Sequence, residues 1–205
     1  MVELPDADEL HRRFFARWGG PPDRARPEPR ALRPDVLLVP GFRDVAAEEL
    51  SPLTAERQGA VLEMVGKMVA AARADWSPVC APHDVLSRDG LIALDASLDA
   101  ERLFALVDAS DPADVGNDLF VTACELGAVV GAALKAARTS LLWVADWPYW
   151  ESSLVERKTG HVVAPFHWAI RRMGSGGAEF PLVDKIASCL ALLDEAARAA
   201  KAAGR

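Results

Sequence analysis

The sequence predicts an α+β fold in which a small antiparallel β-meander packs against several α-helices. Apolar residues recur at helical spacing through most of the chain, but between residues 140 and 165 the period changes from 3.6 to 2. Helical segments precede and follow this single stretch of strands, an order typical of the α+β class. With 205 residues, 51% of them hydrophobic, the chain is long enough to bury the core of one domain.

The first 35 residues differ in composition from the remainder of the chain. Apolar residues at helical spacing predict a helix over residues 4–18. Residues 21–34 contain five prolines and alternating charges, which predict an extended tether because proline fixes φ and lacks an amide donor. We therefore divide the chain into an N-terminal helix plus proline-rich tether (1–35) and a single α+β domain (36–205).

Helices dominate the first half of that domain. A short strand is predicted at residues 36–39, and an amphipathic helix extends from Thr54 to Asp75, with Trp76 and Pro78 expected to end it. A shorter helix follows at residues 99–109. The central helix, residues 117–137, is apolar almost all round and should be buried on most sides. Its Gly127 and Gly131 share one face and predict close approach of a neighbouring element.

The meander is predicted from alternating apolar residues and from turn signals. Thr159-Gly160 provides a tight turn between its second and third strands. Two helices should follow the sheet, the last of them at the C-terminus. The predicted strands cover residues 140–146, 152–158 and 161–165, and the helices cover residues 166–173 and 181–200.

Charge and cysteine content restrict the environment and the partners. A formal charge of −7 argues against general nucleic-acid binding, which requires a basic patch. No secretory apolar segment opens the chain, and the apolar run 119–134 is short and contains Glu125. The three cysteines form no CxxC pair and are expected as buried free thiols. We expect a cytoplasmic protein with neither nucleic acid nor membrane as partner.

Common catalytic motifs are missing from the sequence. Residues 36–44 are typical of the strand and turn that form an oxyanion hole in α/β-hydrolases, but no GxSxG nucleophile elbow follows. The four histidines lack metal-ligand spacing, and no phosphate-binding glycine loop occurs. We therefore expect no cofactor, no metal and no catalytic residue, which favours a non-enzymatic protein.

A short aromatic segment between the first two meander strands is the first candidate for function. Pro148 interrupts strand pairing there, so the loop should project from the end of the sheet. Exposed Trp and Tyr side chains are enriched at binding hot spots. We predict Trp147, Tyr149 and Trp150 as anchors for a protein partner and Glu151 as a charge at the rim. In the alternative, the loop folds back as a lid on the core.

A pocket between the central helix and the meander is the second candidate. Its lining would comprise Glu125, Trp143, His161 and His167, and it would serve a small-molecule-binding domain or an enzyme. Glu125 lies mid-helix among apolar residues, where a buried carboxylate needs a partner or a raised pKa. We expect either a salt bridge to an arginine such as Arg171 or Arg172, or an exposed position on the helix surface.

Residues 125–173 resemble uncharacterised bacterial domains. The shared pattern is ELGAVVG in a helix, then LLWV, then RKTGHVVAPF and IRR. Some domains of this build are similar to immunity or accessory proteins that accompany bacterial toxins. The resemblance, together with the acidic balance, predicts a protein-binding protein of the immunity type that inhibits a basic toxin. A structural homodimer, formed through the sheet or the helix at 54–75, is the remaining alternative.

Overall fold

The computed structural model describes residues 4–18, 31–39, 42, 46–179 and 181–202, and it has the α+β architecture. The N-terminal helix α1 combines an α-helical turn (Ala7–Leu10), a π-helical turn (His11–Phe15) and a 3₁₀ turn (Ala16–Trp18). The other helices are α2 (Ala47–Leu50), α3 (Ala55–Cys80), α4 (Arg88–Ser97), α5 (Ala100–Ala109), α6 (Asp118–Ala137), α7 (Pro165–Met173) and α8 (Leu182–Ala202). The strands are β1 (Val36–Leu38), β2 (Leu141–Val144), β3 (Ser153–Glu156) and β4 (His161–Val163).

The sheet contains the predicted meander and one further strand. Strands β2, β3 and β4 pair antiparallel in sequence order, and Gly160 turns between the last two with a φ of +73°. The strand predicted at residues 36–39 becomes β1, which pairs antiparallel with β4 and gives the order β1-β4-β3-β2. The sequence indicated the strand but not its place at the edge beside β4.

Helix α3 is longer than the sequence predicted. It continues through Trp76 and Pro78 and ends at Cys80, so the expected stop at Trp76 is wrong. Proline costs a helix one amide donor and crowds the preceding turn. Here Pro78 lies in the last turn, and the Ala81 amide still donates to the Ser77 carbonyl at 2.9 Å. The added length carries the buried Trp76 towards α6.

Helix α6 is the core of the fold, and its two glycines permit close packing. A Cβ atom at Gly127 would lie 2.6 Å from the Cα atom of Phe166 on α7. A Cβ atom at Gly131 would lie 2.3 Å from the Trp143 ring on β2. The predicted close approach is therefore confirmed, and both helix α7 and strand β2 contribute to it.

The composition of α6 also resembles that of a membrane span. Of the described residues, only Asp118–Ala137 form a helix long and apolar enough to cross a bilayer, and 78% of its apolar window is buried in the protein. Burial of this kind is expected for the central helix of a folded core.

The N-terminal helix packs into the same core as the other elements. Leu10, Phe14 and Phe15 are each at most 2% exposed. Residues 19–30, which include most of the predicted tether, lie outside the described residues, so the division of the chain at residue 35 stays a prediction. The described end of that segment, residues 31–35, contacts the domain through Arg33 and Asp35.

Candidate functional site

A groove between α3 and α6 is lined mainly by apolar side chains and also contains the buried Glu125. Its volume is about 390 Å³. Helix α3 presents one face to it, α6 provides the opposite wall, and the loop before α6 and the turn after β2 close its ends. The lining residues are Met64, Lys67, Met68, Ala71, Val115, Phe120, Val121, Cys124, Glu125 and Tyr149.

Apolar side chains at the rim of the groove are exposed to solvent. Met64 is 36% exposed, Val121 is 40% exposed and Val115 is 47% exposed. Isolated exposed apolar residues are ordinary, but these three border the same recess and give it an exposed apolar rim. Methionine side chains are flexible and adapt to differently shaped ligands, which suits a binding surface.

Glu125 lines the groove and is only 8% exposed. The Trp76 indole donates a hydrogen bond from Nε1 to the Glu125 Oε2 atom at 3.1 Å. Burial raises the pKa of Glu125 above its ordinary value, and the charge of Asp75 adds to this, while the Trp76 hydrogen bond acts against it. Among the described residues, no lysine or arginine forms an ion pair with Glu125.

The arginine partner expected for Glu125 is wrong, because both candidate arginines serve other carboxylates. Arg172 places its Nε atom 2.6 Å from the Asp95 carboxylate and donates to the Asp95 and Leu98 carbonyls. Arg171 lies 3.2 Å from the Asp35 carboxylate. A neutral indole donor therefore takes the place that a cation was expected to occupy.

Two potentially reactive groups of the groove are held in their protonated forms. The Tyr149 hydroxyl donates to the Cys124 Sγ atom over 3.4 Å. Burial raises the pKa of the Cys124 thiol to about 12 and raises the pKa of Tyr149 above its ordinary range. A thiol reacts as the thiolate, so this pair does not provide a nucleophile at neutral pH. Cys80 and Cys189 are also buried, as the sequence predicted.

The aromatic loop folds onto the core instead of projecting from the sheet. Trp150 is 4% exposed and Glu151 is 3% exposed, so neither is available on the surface as the predicted anchor or rim charge. The Trp150 ring meets Phe120 edge-on at 5.1 Å between centroids, because α6 offers an aromatic surface there. Trp147 and Tyr149 stay partly exposed, and Tyr149 reaches the groove.

The four residues predicted to share a pocket lie in different places. Glu125 faces α3, while Trp143 packs against Gly131 on the other side of α6. His161 pairs its Nδ1 atom with the Thr159 hydroxyl at 2.8 Å, and burial lowers its pKa. His167 is fully buried and belongs to a cluster of polar side chains away from the groove. The pocket between the central helix and the meander is therefore not formed by this set.

That buried cluster joins His11, Glu151 and His167, whose candidate ligand atoms all lie within 4.8 Å of one another. The His167 Nε2 atom is 3.6 Å from Glu151 Oε1, and the two imidazole centroids are 5.7 Å apart. Arg33 approaches from residues 31–35 and places a guanidinium nitrogen 3.1 Å from Glu151 Oε2. Burial lowers the pKa of His11, and the neighbouring imidazole of His167 acts in the same direction.

Two histidines and a carboxylate are a common zinc ligand set, but the hydrogen bonds here do not fit one. The Arg33 backbone amide donates to His167 Nδ1 at 2.8 Å, so neutral His167 carries its hydrogen on Nε2, the nitrogen that faces Glu151. A metal bound at Nε2 would require the opposite tautomer. Glu151 also already pairs with the Arg33 guanidinium. We therefore interpret the cluster as an internal network that fixes residues 31–35 against α7.

A second recess of about 300 Å³ lies between the C-terminal end of α7 and the start of α8. Its lining includes Asp35, Arg171 and Lys185. Asp35 lies 3.2 Å from Arg171 and 2.9 Å from Lys185, so each of these two cations has a carboxylate partner within the chain. The groove between α3 and α6 remains the better candidate because its buried charge has no such partner.

Comparison with known proteins adds no relative. No protein family model, no curated protein and no solved structure matches this chain.

Proposed function

We propose that this protein binds a segment of another protein in the groove between α3 and α6. The observation that carries the proposal is the exposed apolar rim formed by Met64, Val115 and Val121 around a groove that contains the buried Glu125. An exposed apolar surface with polar surroundings is characteristic of an interaction site in a folded protein. A recess between two helices suits side chains that project from one face of a partner segment.

Two features favour a protein partner over a small-molecule substrate. Small-molecule sites enclose most of the ligand surface, whereas Met64, Val115 and Val121 are more than a third exposed and leave the groove open. The raised pKa values of Cys124 and Tyr149 remove the most obvious nucleophiles. Binding without catalysis is the function that this lining supports best.

The charge of the chain indicates which kind of partner to expect. With a formal charge of −7, the protein attracts basic surfaces and accelerates their association. An immunity-type inhibitor that binds a basic toxin is the finer form of the proposal. Its binding surface would be the groove, with Tyr149 as the one residue of the predicted aromatic loop that takes part.

Affinity capture with three matched baits tests the proposal. The wild-type chain and a control, Ile92→Gln with Leu192→Gln, should retain the same protein from an extract of the source cells. The groove variant, Met64→Gln with Val121→Gln, should lose that protein. The control changes two apolar residues that are similarly exposed, 45% and 42%, on α4 and α8. Equal capture by all three baits, or capture by none, would refute the groove as the binding site.

A further inference from the structure

We propose that the partner inserts a lysine or arginine side chain into the groove and pairs it with Glu125. The inference rests on the proposed function and specifies how the groove recognises its partner. The Glu125 carboxylate is 8% exposed and accepts a hydrogen bond from one neutral donor, the Trp76 indole. Among the described residues, no lysine or arginine pairs with it.

Burial of a carboxylate without a cationic partner costs desolvation free energy, so Glu125 does not stabilise the folded chain by itself. Three other buried carboxylates show the usual solution. Asp95 pairs with Arg172, Glu156 pairs with Arg138, and Glu151 pairs with Arg33. Glu125 differs from these three, and it lies where a bound molecule reaches it. A cation from a partner would supply the missing compensation.

The surroundings of Glu125 favour a cation from outside the chain. The charge of Asp75 acts on Glu125, and the exposed Asp114 and Asp118 flank the rim residues Val115 and Val121 along the chain. Lys67 is the one lysine among the described lining residues, and its Nζ atom lies 2.7 Å from a Glu63 carboxylate oxygen. Lys67 is thus engaged with another carboxylate.

The shape of the groove matches a long side chain with a charged end. Lysine and arginine have apolar stems, which pack on apolar surfaces while the charged group reaches a polar partner. Met64, Met68 and Val121 supply such a surface, and the buried Glu125 lines the same groove. A second copy of this chain fits less well, because the pairing of two grooves would bring together the acidic groups of two chains that each carry −7.

A library of random dodecapeptides displayed on phage provides a ligand even while the natural partner is unidentified. Peptides selected on the wild-type chain should carry a lysine or arginine between apolar residues. Synthetic peptides are then compared with versions in which acetyl-lysine or citrulline replaces that residue. We expect neutralisation to weaken binding to the wild-type chain about ten-fold or more, because a desolvated charge pair is lost. Binding should shift the Trp76 indole N–H resonance, since that group donates to Glu125.

Two variants separate recognition of the cation from binding to the groove. With Glu125→Gln, which keeps an acceptor for Trp76, charged and neutral peptides should bind equally. With the control Glu195→Gln, on the exposed face of α8, the preference should persist. A preference that survives Glu125→Gln, or peptides that bind the groove without a cation, would overturn this inference and leave the proposed function intact. Three other outcomes would overturn both this inference and the proposed function. Selected peptides could bind the double variant Met64→Gln with Val121→Gln as tightly as the wild-type chain, or the library could yield no binder. Light scattering could also show a dimer that this double variant converts to a monomer.

Discussion

The replacement Gly127→Ala tests the packing on which the whole fold depends. In an isolated helix this change should stabilise, since glycine costs about 1 kcal/mol relative to alanine. Here the new Cβ atom would lie 2.6 Å from the Cα atom of Phe166 and 2.5 Å from its ring. Carbon atoms in contact are separated by about 3.5–4.0 Å, so α6 and α7 must move apart by about 1 Å. The obstacle is backbone, which a side-chain rotation does not relieve.

Overpacking of a core costs about 1–3 kcal/mol, and a backbone obstacle places this site at the upper end. After subtraction of the helix-propensity gain of about 1 kcal/mol, we expect Gly127→Ala to lower the free energy of unfolding by about 1–2 kcal/mol. The matched control is Gly66→Ala in α3, where nothing lies within 4 Å of the added Cβ atom. That control should raise the free energy of unfolding by about 0.5–1 kcal/mol.

Urea denaturation followed by circular dichroism measures both changes in the free energy of unfolding. The comparison is valid when the dependence of that free energy on urea concentration is the same for the variants and the wild-type chain. The two alanines should shift the midpoint in opposite directions. If Gly127→Ala stabilised the protein as much as Gly66→Ala, the close approach of α6 and α7 would be refuted.

Three further predictions follow from the buried polar groups. Asp95→Ala should lower the free energy of unfolding by about 3–5 kcal/mol in urea titrations, because it leaves Arg172 buried without its carboxylate. Burial raises the pKa of Glu125, so the folded state binds a proton at this carboxyl more tightly than the unfolded state does. The free energy of unfolding of the wild-type chain should therefore fall relative to that of Glu125→Gln as the pH rises from about 4 through the folded-state pKa. Nitrogen-15 spectra should find the Nε2–H tautomer for neutral His167, because Arg33 donates to Nδ1; the opposite tautomer would restore the metal site.

Much of the fold was predictable because local patterns determine it. The change of period at residue 140 marked the strands, Gly160 marked their turn, and the all-apolar character of α6 marked the core helix. The end of α3 was missed because Pro78 falls in a last turn, where loss of one amide donor matters little. Pairing of β1 with β4 was missed because contacts across more than a hundred residues leave no local signal.

The candidate site was less predictable for the same reason. Trp150 and Glu151 are buried because they contact Phe120 and Arg33, which lie far away in the chain. The cluster of His11 with His167 joins an N-terminal helix to α7 and leaves no spacing motif. The sequence did indicate Glu125, because it shows a carboxylate among apolar helix residues. It did not indicate that Glu125 lies on the side of α6 that faces α3.

Hydrogen–deuterium exchange on the complex with the captured partner tests the central claim most directly. Binding in the groove should slow exchange in residues 64–71 of α3 and in residues 115–125, which include the start of α6. Exchange in α8 should be unchanged. Protection confined to β1, whose Leu37 and Leu38 are 44% and 53% exposed at the sheet edge, would contradict the account and place the binding surface there instead.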